Sequence, residues 1–393
     1  MEPTQALEGI RVLDLSDEYS HYAGKLFADL GAEVLLIEKP GGSALRHRPP
    51  FLDRIPGRRS AAFESFNTGK RSRVIDLDSP DGWHDFECLV READLIIEDW
   101  PNDVAGRRGL SIDALAVLNP QVVLATLTPF GRTGPYANYA ASDLTVLALG
   151  GFLTMVGYPD LPPHQLPQRQ AIAIGSMFLA VGAMMALFAA QRDKLGQHVD
   201  VSMQECVTMA TENAVQTFDL TGSVRKRFAG SQRHAGTGLF EVADGYVYLF
   251  AGGMAARRFW ANIVTWLADE GEPGASALAD DRWTDLSFMS SEEAKAEFNA
   301  IFAPFVRKRT KAEIYQQGRD RQVPVCPVSS PRDIAENRQM AYRGFFQQVD
   351  IAGGTFRIPG VPFIMSETPG QVSAAPELND AGLDYQTQRR AAS

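Results

Sequence analysis

The order of apolar and polar positions divides the chain into three stretches. In the first, short Val/Ile/Leu runs alternate with helical patterns. IRVLDL (10–15), EVLLIEK (33–39), RVIDL (73–77), DLIIED (94–99) and VVLATLTPF (122–130) read as strands. AGKLFADLG, GWHDFECLVREA and a shorter segment ahead of residue 122 read as the helices between them. Near-continuous apolar strands separated by helices predict a parallel sheet buried on both faces, a Rossmann-like α/β arrangement.

The most apolar stretch runs from Ala171 to Ala190, twenty residues without a charge. That is just long enough to cross a bilayer. Seven of the twenty are Ala and two are Gly, which suits close helix packing, and no second span accompanies it. It reads as a core helix, with no membrane partner. GQHVDVS then gives a short strand leading into another helix, and the basic, Gly-rich SVRKRFAGSQRHAGTG (223–238) reads as a crossing between domains. GLFEVADGYVYLF predicts a hairpin with Asp244-Gly245 at its turn. Helices rich in Trp and Phe follow to about residue 320, and VPVCPVSS opens a Pro-rich return. The expected organisation is a large Rossmann-like domain over 1–222, a smaller α+β domain over 223–325, and a return to the large domain over 326–393.

A net charge of −10 over 393 residues argues against a nucleic-acid surface and for an acidic cytoplasmic protein. The opening MEPTQALEGIRVLDL carries no secretory signal pattern. Three cysteines without CxxC or Cys/His spacing predict neither a disulfide framework nor a metal site. SDEYSHYAGK follows the first strand where a dinucleotide-binding chain would carry GxGxxG, so NAD and FAD are disfavoured.

LEGIRVLDLS, LFADLGAEVLLIEKPGG, FNTGKRSRVIDLDSPDG, ADLIIEDW with RRGLSIDAL, NPQVVLATLTPFGRTGPYAN, KLGQHVDVSMQE, FEVADGYVYL and VPVCPV occur in this order along the chain. Together they resemble the class III CoA-transferases, which include the formyl-CoA, carnitine and benzylsuccinate CoA-transferases and the related α-methylacyl-CoA racemases. The resemblance implies two protomers interlocked like links of a chain. It implies CoA or acyl-CoA as substrate, with no prosthetic group. Its pattern places Lys39, Asn67, Thr68, Gly69, Lys70, Asp99, Trp100, Arg107, Ser142 and Asp143 at the CoA site. CoA carries a 3′-phosphate and a diphosphate, so an acidic protein must gather local cations and N–H donors to hold it.

In the family, an Asp at the start of the long apolar helix attacks the acyl-CoA thioester, and covalent intermediates carry the exchange. The alignment puts Ile172 at that position, and neither Asp nor Glu occurs from Leu161 to Arg192. The first loop, DEYSHYAGK, also departs from the family's Ala-Gly-Pro and is one residue shorter. Racemase chemistry is disfavoured too, because Ser142 stands where the racemases carry their His. Asp17 and Glu18 are the acids within reach from the altered loop. Ser176 reads as a hydroxyl bonded to backbone, and His21, His164 and His234 as loop residues. No catalytic residue is assigned. The expectation is the Asp-lacking subunit of a heteromeric CoA-transferase, paired with an Asp-containing homologue. The alternatives are a homodimeric acyl-CoA enzyme with a different mechanism and a non-catalytic CoA-binding protein.

Overall fold

The computed structural model describes residues 5–227, 232–253 and 257–381. These form two compact units: Met1–Thr154 with Gln165–Arg225 and Arg338–Ser393, and Met155–His164 with Lys226–Asn337.

The first unit is built on six parallel strands: β1 (Arg11–Leu15), β2 (Glu33–Glu38), β3 (Arg71–Val74), β4 (Leu95–Glu98), β5 (Val123–Thr128) and β6 (His198–Ser202), in the order β3-β2-β1-β4-β5-β6. The helices are α1 (His21–Asp29), α2 (Ala61–Phe66), α3 (Pro80–Val90), α4 (Asn102–Arg107), α5 (Ile112–Leu118), α6 (Asp143–Leu149), α7 (Gln170–Asp193), α8 (Met203–Met209) and α9 (Ala214–Thr221). Successive strand side chains point to opposite faces, and here both faces are covered. Val12, Leu95, Ile97, Val123, Ala125 and Leu127 pack in one core with Ala171, Leu179, Ala183 and Leu187 of α7. Leu13, Leu35, Ile96 and Leu124 pack in another with Phe86, Leu89 and Val90 of α3.

The small residues of α7 let it lie close to the sheet. A Cβ on Gly175 would stand 2.9 Å from Met203 Cγ and 3.0 Å from Leu127 Cδ1, so this position has no room for a side chain. The helix is a core element on one side alone. Met177, Phe178, Val181, Met185 and Phe188 on its outer side are exposed. It is the one helix among the described residues long and apolar enough to cross a membrane by length and composition.

The second unit holds an antiparallel sheet of β7 (Thr237–Val242), β8 (Gly245–Phe250) and β9 (Val325–Pro327). Its helices are α10 (Arg257–Asp269), α11 (Leu286–Met289), α12 (Glu292–Arg307), α13 (Lys311–Asp320) and α14 (Pro331–Ala335). Trp260, Trp266, Trp283, Phe298, Phe302 and Phe305 fill its core. Ala243 and Asp244 form the hairpin turn, and Gly245, at φ +141°, already pairs with Val242.

The boundaries differ from those read in the sequence. The VPVCPV strand was assigned to the return from residue 326, but β9 pairs Val325 with Leu249 and Cys326 with Tyr248. The chain therefore re-enters the first unit at Arg338, through α15 (Arg338–Tyr342), β10 (Phe346–Ile351) and β11 (Gly354–Pro359). Residues 155–164, assigned to the large domain, group with the second unit. The returning tail laces onto the sheet edge: Ser72 N–H donates to Asp380 Oδ1 at 2.7 Å, and Ala381 N–H to the Ser72 carbonyl at 2.9 Å. Residues 382–393 of the expected return lie outside the described residues.

Candidate functional site

In an open parallel sheet, ligands bind beyond the carboxyl ends of the strands, where the strand order reverses. Here that point falls between β1 and β4. A crevice of about 280 Å³ opens there, lined by residues that follow four strands: Ser16 and Asp17 after β1, Lys39 after β2, Asp76 and Asp78 after β3, Trp100 after β4. Lys39, expected at the site, lies in it, with its side chain 59% exposed and its ammonium 3.3 Å from Asp17 Oδ1. Trp100 lies in it as well. Its N–H donates to Glu98 Oε2 at 2.8 Å, and its carbonyl accepts from Arg132 Nη1 at 2.9 Å.

Arg107 does not line this crevice. Its guanidinium pairs with Asp103, one turn back on the exposed side of α4. The lining residue is the neighbouring Arg108, which sequence reading passed over. Arg108 lies 4.5 Å over the Trp100 ring and holds Asp78 with two bonds of 2.9 Å. Trp100, Val104 and Arg108 all line the crevice, at intervals of four residues. That helical spacing was the available signal.

Asn67, Thr68, Gly69 and Lys70 were expected to present donors to a phosphate. The three side chains are buried, Lys70 bonded to Asn67 and Thr68 to Lys25 and Asp29. Lys70 Nζ donates to Asp14 Oδ2 at 2.6 Å, to Asn67 Oδ1 at 2.8 Å and to the His21 carbonyl at 2.8 Å; both side chains of the ion pair are 0% exposed. Burial pushes the Lys70 ammonium down, against the pull of Asp14. Gly24 makes room for the pair, since a Cβ there would stand 2.1 Å from Asp14 Oδ2. Thr68 Oγ1 donates to Asp29 Oδ1 and accepts from Lys25 Nζ, each at 2.9 Å. Gly69 adopts φ +71° and donates its N–H to the Ala374 carbonyl at 3.2 Å. These side-chain donors are turned onto the protein itself.

His21, read as a loop residue, is the first residue of α1 and is buried. Its Nδ1 lies 3.0 Å from Asn67 Oδ1 and its Nε2 3.2 Å from Ser43 Oγ. An amide oxygen only accepts, so Nδ1 carries the proton and Nε2 accepts from the hydroxyl. Burial, then the Lys70 charge, lowers this imidazole to about 4.

Asp99 is likewise turned inward. Its carboxylate accepts the backbone N–H groups of Asp17, Glu18, Tyr19 and Ser20 at the entry to α1. Burial raises it to about 6, against those four donors. The turn that would receive a phosphate in a dinucleotide-binding chain is thus filled by the protein's own carboxylate. Asp99 thereby fixes the first loop.

That loop runs along the start of α7. Ser176 Oγ donates to the Tyr19 carbonyl at 2.9 Å, the backbone bond expected of this serine, made to the loop instead of its own helix. Arg169 Nη2 donates to Glu18 Oε1 at 2.8 Å, and Arg48 Nη2 to the same oxygen at 2.9 Å. Between these contacts lies Ile172, 5% exposed, its side chain in the core under the sheet. Ser142 caps α6 by accepting the Thr145 N–H at 3.3 Å. Asp143 Oδ1 accepts the Ile172 N–H at 3.0 Å, while its Oδ2 is buried without a partner, and burial pushes this carboxyl up. Ser142 and Asp143 stand outside the lining of the crevice at β1 and β4.

His164 and His234 belong to the second unit, where His234 Nδ1 lies 3.0 Å from Ser290 Oγ. Among the described residues no group of three His, Cys, Asp or Glu side chains is arranged to hold a metal ion.

Residues 7–381 match the family described as CoA-transferase family III. The chain is 38% identical over 381 residues to the succinyl-CoA:(R)-benzylsuccinate CoA-transferase subunit BbsE of Thauera aromatica, covering 96% of this chain and 92% of that protein. It is 31% identical over 377 residues to the succinate–glutarate CoA-transferase of Agrobacterium fabrum, covering 92% and 90%. The crystal structure of a CAIB/BAIF family protein from Brucella suis superposes with a TM-score of 0.87 at 25% identity, covering 98% of this chain and all of that one.

Proposed function

The chain belongs to CoA-transferase family III, and from that premise we propose that it is the subunit of a heteromeric CoA-transferase that lacks the attacking carboxylate. The observation that carries this reading is Ile172, an apolar side chain packed in the core where the family's Asp is expected. The likeness to a protein named as a subunit supports it.

In this reading the crevice at β1 and β4 receives the nucleotide end of CoA. Lys39 and Arg108 supply charge for its phosphates, exchanging their present partners Asp17 and Asp78 for the ligand. Trp100 gives the crevice an apolar wall. Neither nearby acid replaces the missing one. Glu18 Oε1 is taken by two arginines, and the free oxygen of Asp143 is buried. The acyl transfer itself then falls to an Asp-bearing homologue.

The exposed row on α7 supports a dimer, because five large apolar side chains left 43–69% exposed forgo roughly half of the 1.5–3 kcal/mol that full burial of each contributes. The partner is the Asp-containing homologue, in the interlocked arrangement that the resemblance implies. The three free thiols fit a reducing, cytoplasmic compartment.

Expression of the chain alone and together with such a homologue tests the proposal, using succinyl-CoA and a free acid as substrates. Transfer is expected from the mixture and absent from the single chain. Full transfer by the single chain would refute the subunit reading.

A further inference from the structure

Two guanidinium groups converge on a single carboxylate oxygen beside the start of α7. Arg48 and Arg169 come from parts of the chain far apart in sequence, yet both donate to Glu18 Oε1, at 2.9 and 2.8 Å. Glu18 is a partial match for them. It offers one oxygen to two forks, and one negative charge to two positive ones. The remaining contact of Arg169 is a 3.5 Å approach to the Glu18 carbonyl. Burial, and then the charge of Arg48, push Arg169 down, against the pull of Glu18 and Asp143.

The neighbouring acid, Asp143, acts on Arg169 through its charge and gives it no hydrogen bond. Its Oδ1 accepts the Ile172 N–H at 3.0 Å, and its Oδ2 is buried without a partner. The group is also accessible: the side chains of Glu18, Arg48 and Arg169 are 42%, 38% and 27% exposed. A guanidinium is built for two-oxygen recognition of carboxylates. Asp99 holds the Glu18 backbone N–H at 3.0 Å, so displacing the carboxylate requires only side-chain rotation.

We propose that Arg48 and Arg169 form a binding site for a free dicarboxylate, and that Glu18 occupies this site as an internal stand-in until the ligand displaces it. A dicarboxylate brings two charges and four oxygens, and so satisfies both forks where Glu18 satisfies neither fully. The inference names the acid class for the CoA-transferase reading above and rests on it for the ligand's role. The binding itself does not require that reading.

The test is calorimetric titration of succinate into the purified full-length chain without CoA, with acetate as the single-charge comparison. Wild-type protein should bind succinate weakly and acetate more weakly still. Glu18→Gln should tighten succinate binding about tenfold, because the internal competitor is gone. Arg169→Met and Arg48→Met should each abolish it, with Arg169→Lys intermediate. Unchanged thermal melting of the variants separates binding from folding. Succinate binding that is unchanged or weaker in Glu18→Gln, or retained in the Met variants, overturns the inference. Titration of CoA into the same samples keeps the two proposals apart. Failure of CoA to bind any of them would refute the function proposed above while leaving the succinate result to stand.

Discussion

Two clusters in the first unit use the same chemistry, a carboxylate held by cations, and differ in access to water. At the FNTGK corner, Lys70 and Asp14 are sealed under α1, and every donor of the brace is spent on the protein. At the start of α7, Glu18 and its two arginines stay in contact with solvent. The first cluster is scaffold and the second is available to a ligand. Burial, more than residue type, separates a structural charge from a working one: a sealed charge cannot exchange partners, and an open pair exchanges them at little cost.

The largest expected effect tests the sealed cluster. Lys70→Met leaves Asp14 buried without its counter-charge and should cost about 3–5 kcal/mol in denaturant unfolding. Asp14→Asn combined with Lys70→Met should recover part of that loss. A Lys70→Met loss below about 1 kcal/mol would place Lys70 among the exchangeable charges.

His21 sharpens the same point through pH. Its imidazole is lowered to about 4 in the fold from an ordinary value of 6.5. The unfolded chain therefore takes up a proton before the folded one does, and stability present above 6.5 is lost as pH falls toward 4. Between pH 7 and 5 this should amount to about 2 kcal/mol. His21→Gln should flatten that part of the melting profile, leaving the carboxylates' contribution at lower pH.

A smaller effect is expected at the crevice. Arg108→Ala should weaken CoA binding about tenfold, in keeping with loss of a charge-assisted bond. Arg107→Ala, whose guanidinium pairs with Asp103 on the exposed side of α4, should change it less than twofold. Equal losses would show that the crevice does not hold the phosphates. The smallest effect belongs to the open cluster, where Glu18→Gln should move unfolding stability by less than about 1 kcal/mol.

The sheet was legible because β1, β2, β4 and β5 are largely apolar on both faces, and each falls within the run that announced it. The third strand was read two residues late. Arg71 and Arg73 break its apolar run, and its pairing at the sheet edge rests on backbone bonds to β2 and on Asp380 from the far end of the chain. The return to the first unit was misplaced because β9 has three residues, preceded by Pro324 and ending in Pro327, and only its pairing with β8 assigns it. Lys39 and Trp100 were expected from the family pattern, and both line the crevice just past a strand end. Arg107 was chosen over Arg108 because adjacent helical residues face about 100° apart, a direction that a family pattern alone does not carry. The burial of Lys70 depends on the absence of a side chain at Gly24, distant in sequence and adjacent in space.

Mass spectrometry of this chain mixed with an Asp-bearing homologue and succinyl-CoA tests the central claim most directly. A covalent acyl or CoA adduct is expected on the homologue and none on this chain. An adduct on Glu18, Asp143 or any other carboxylate of this chain would contradict it.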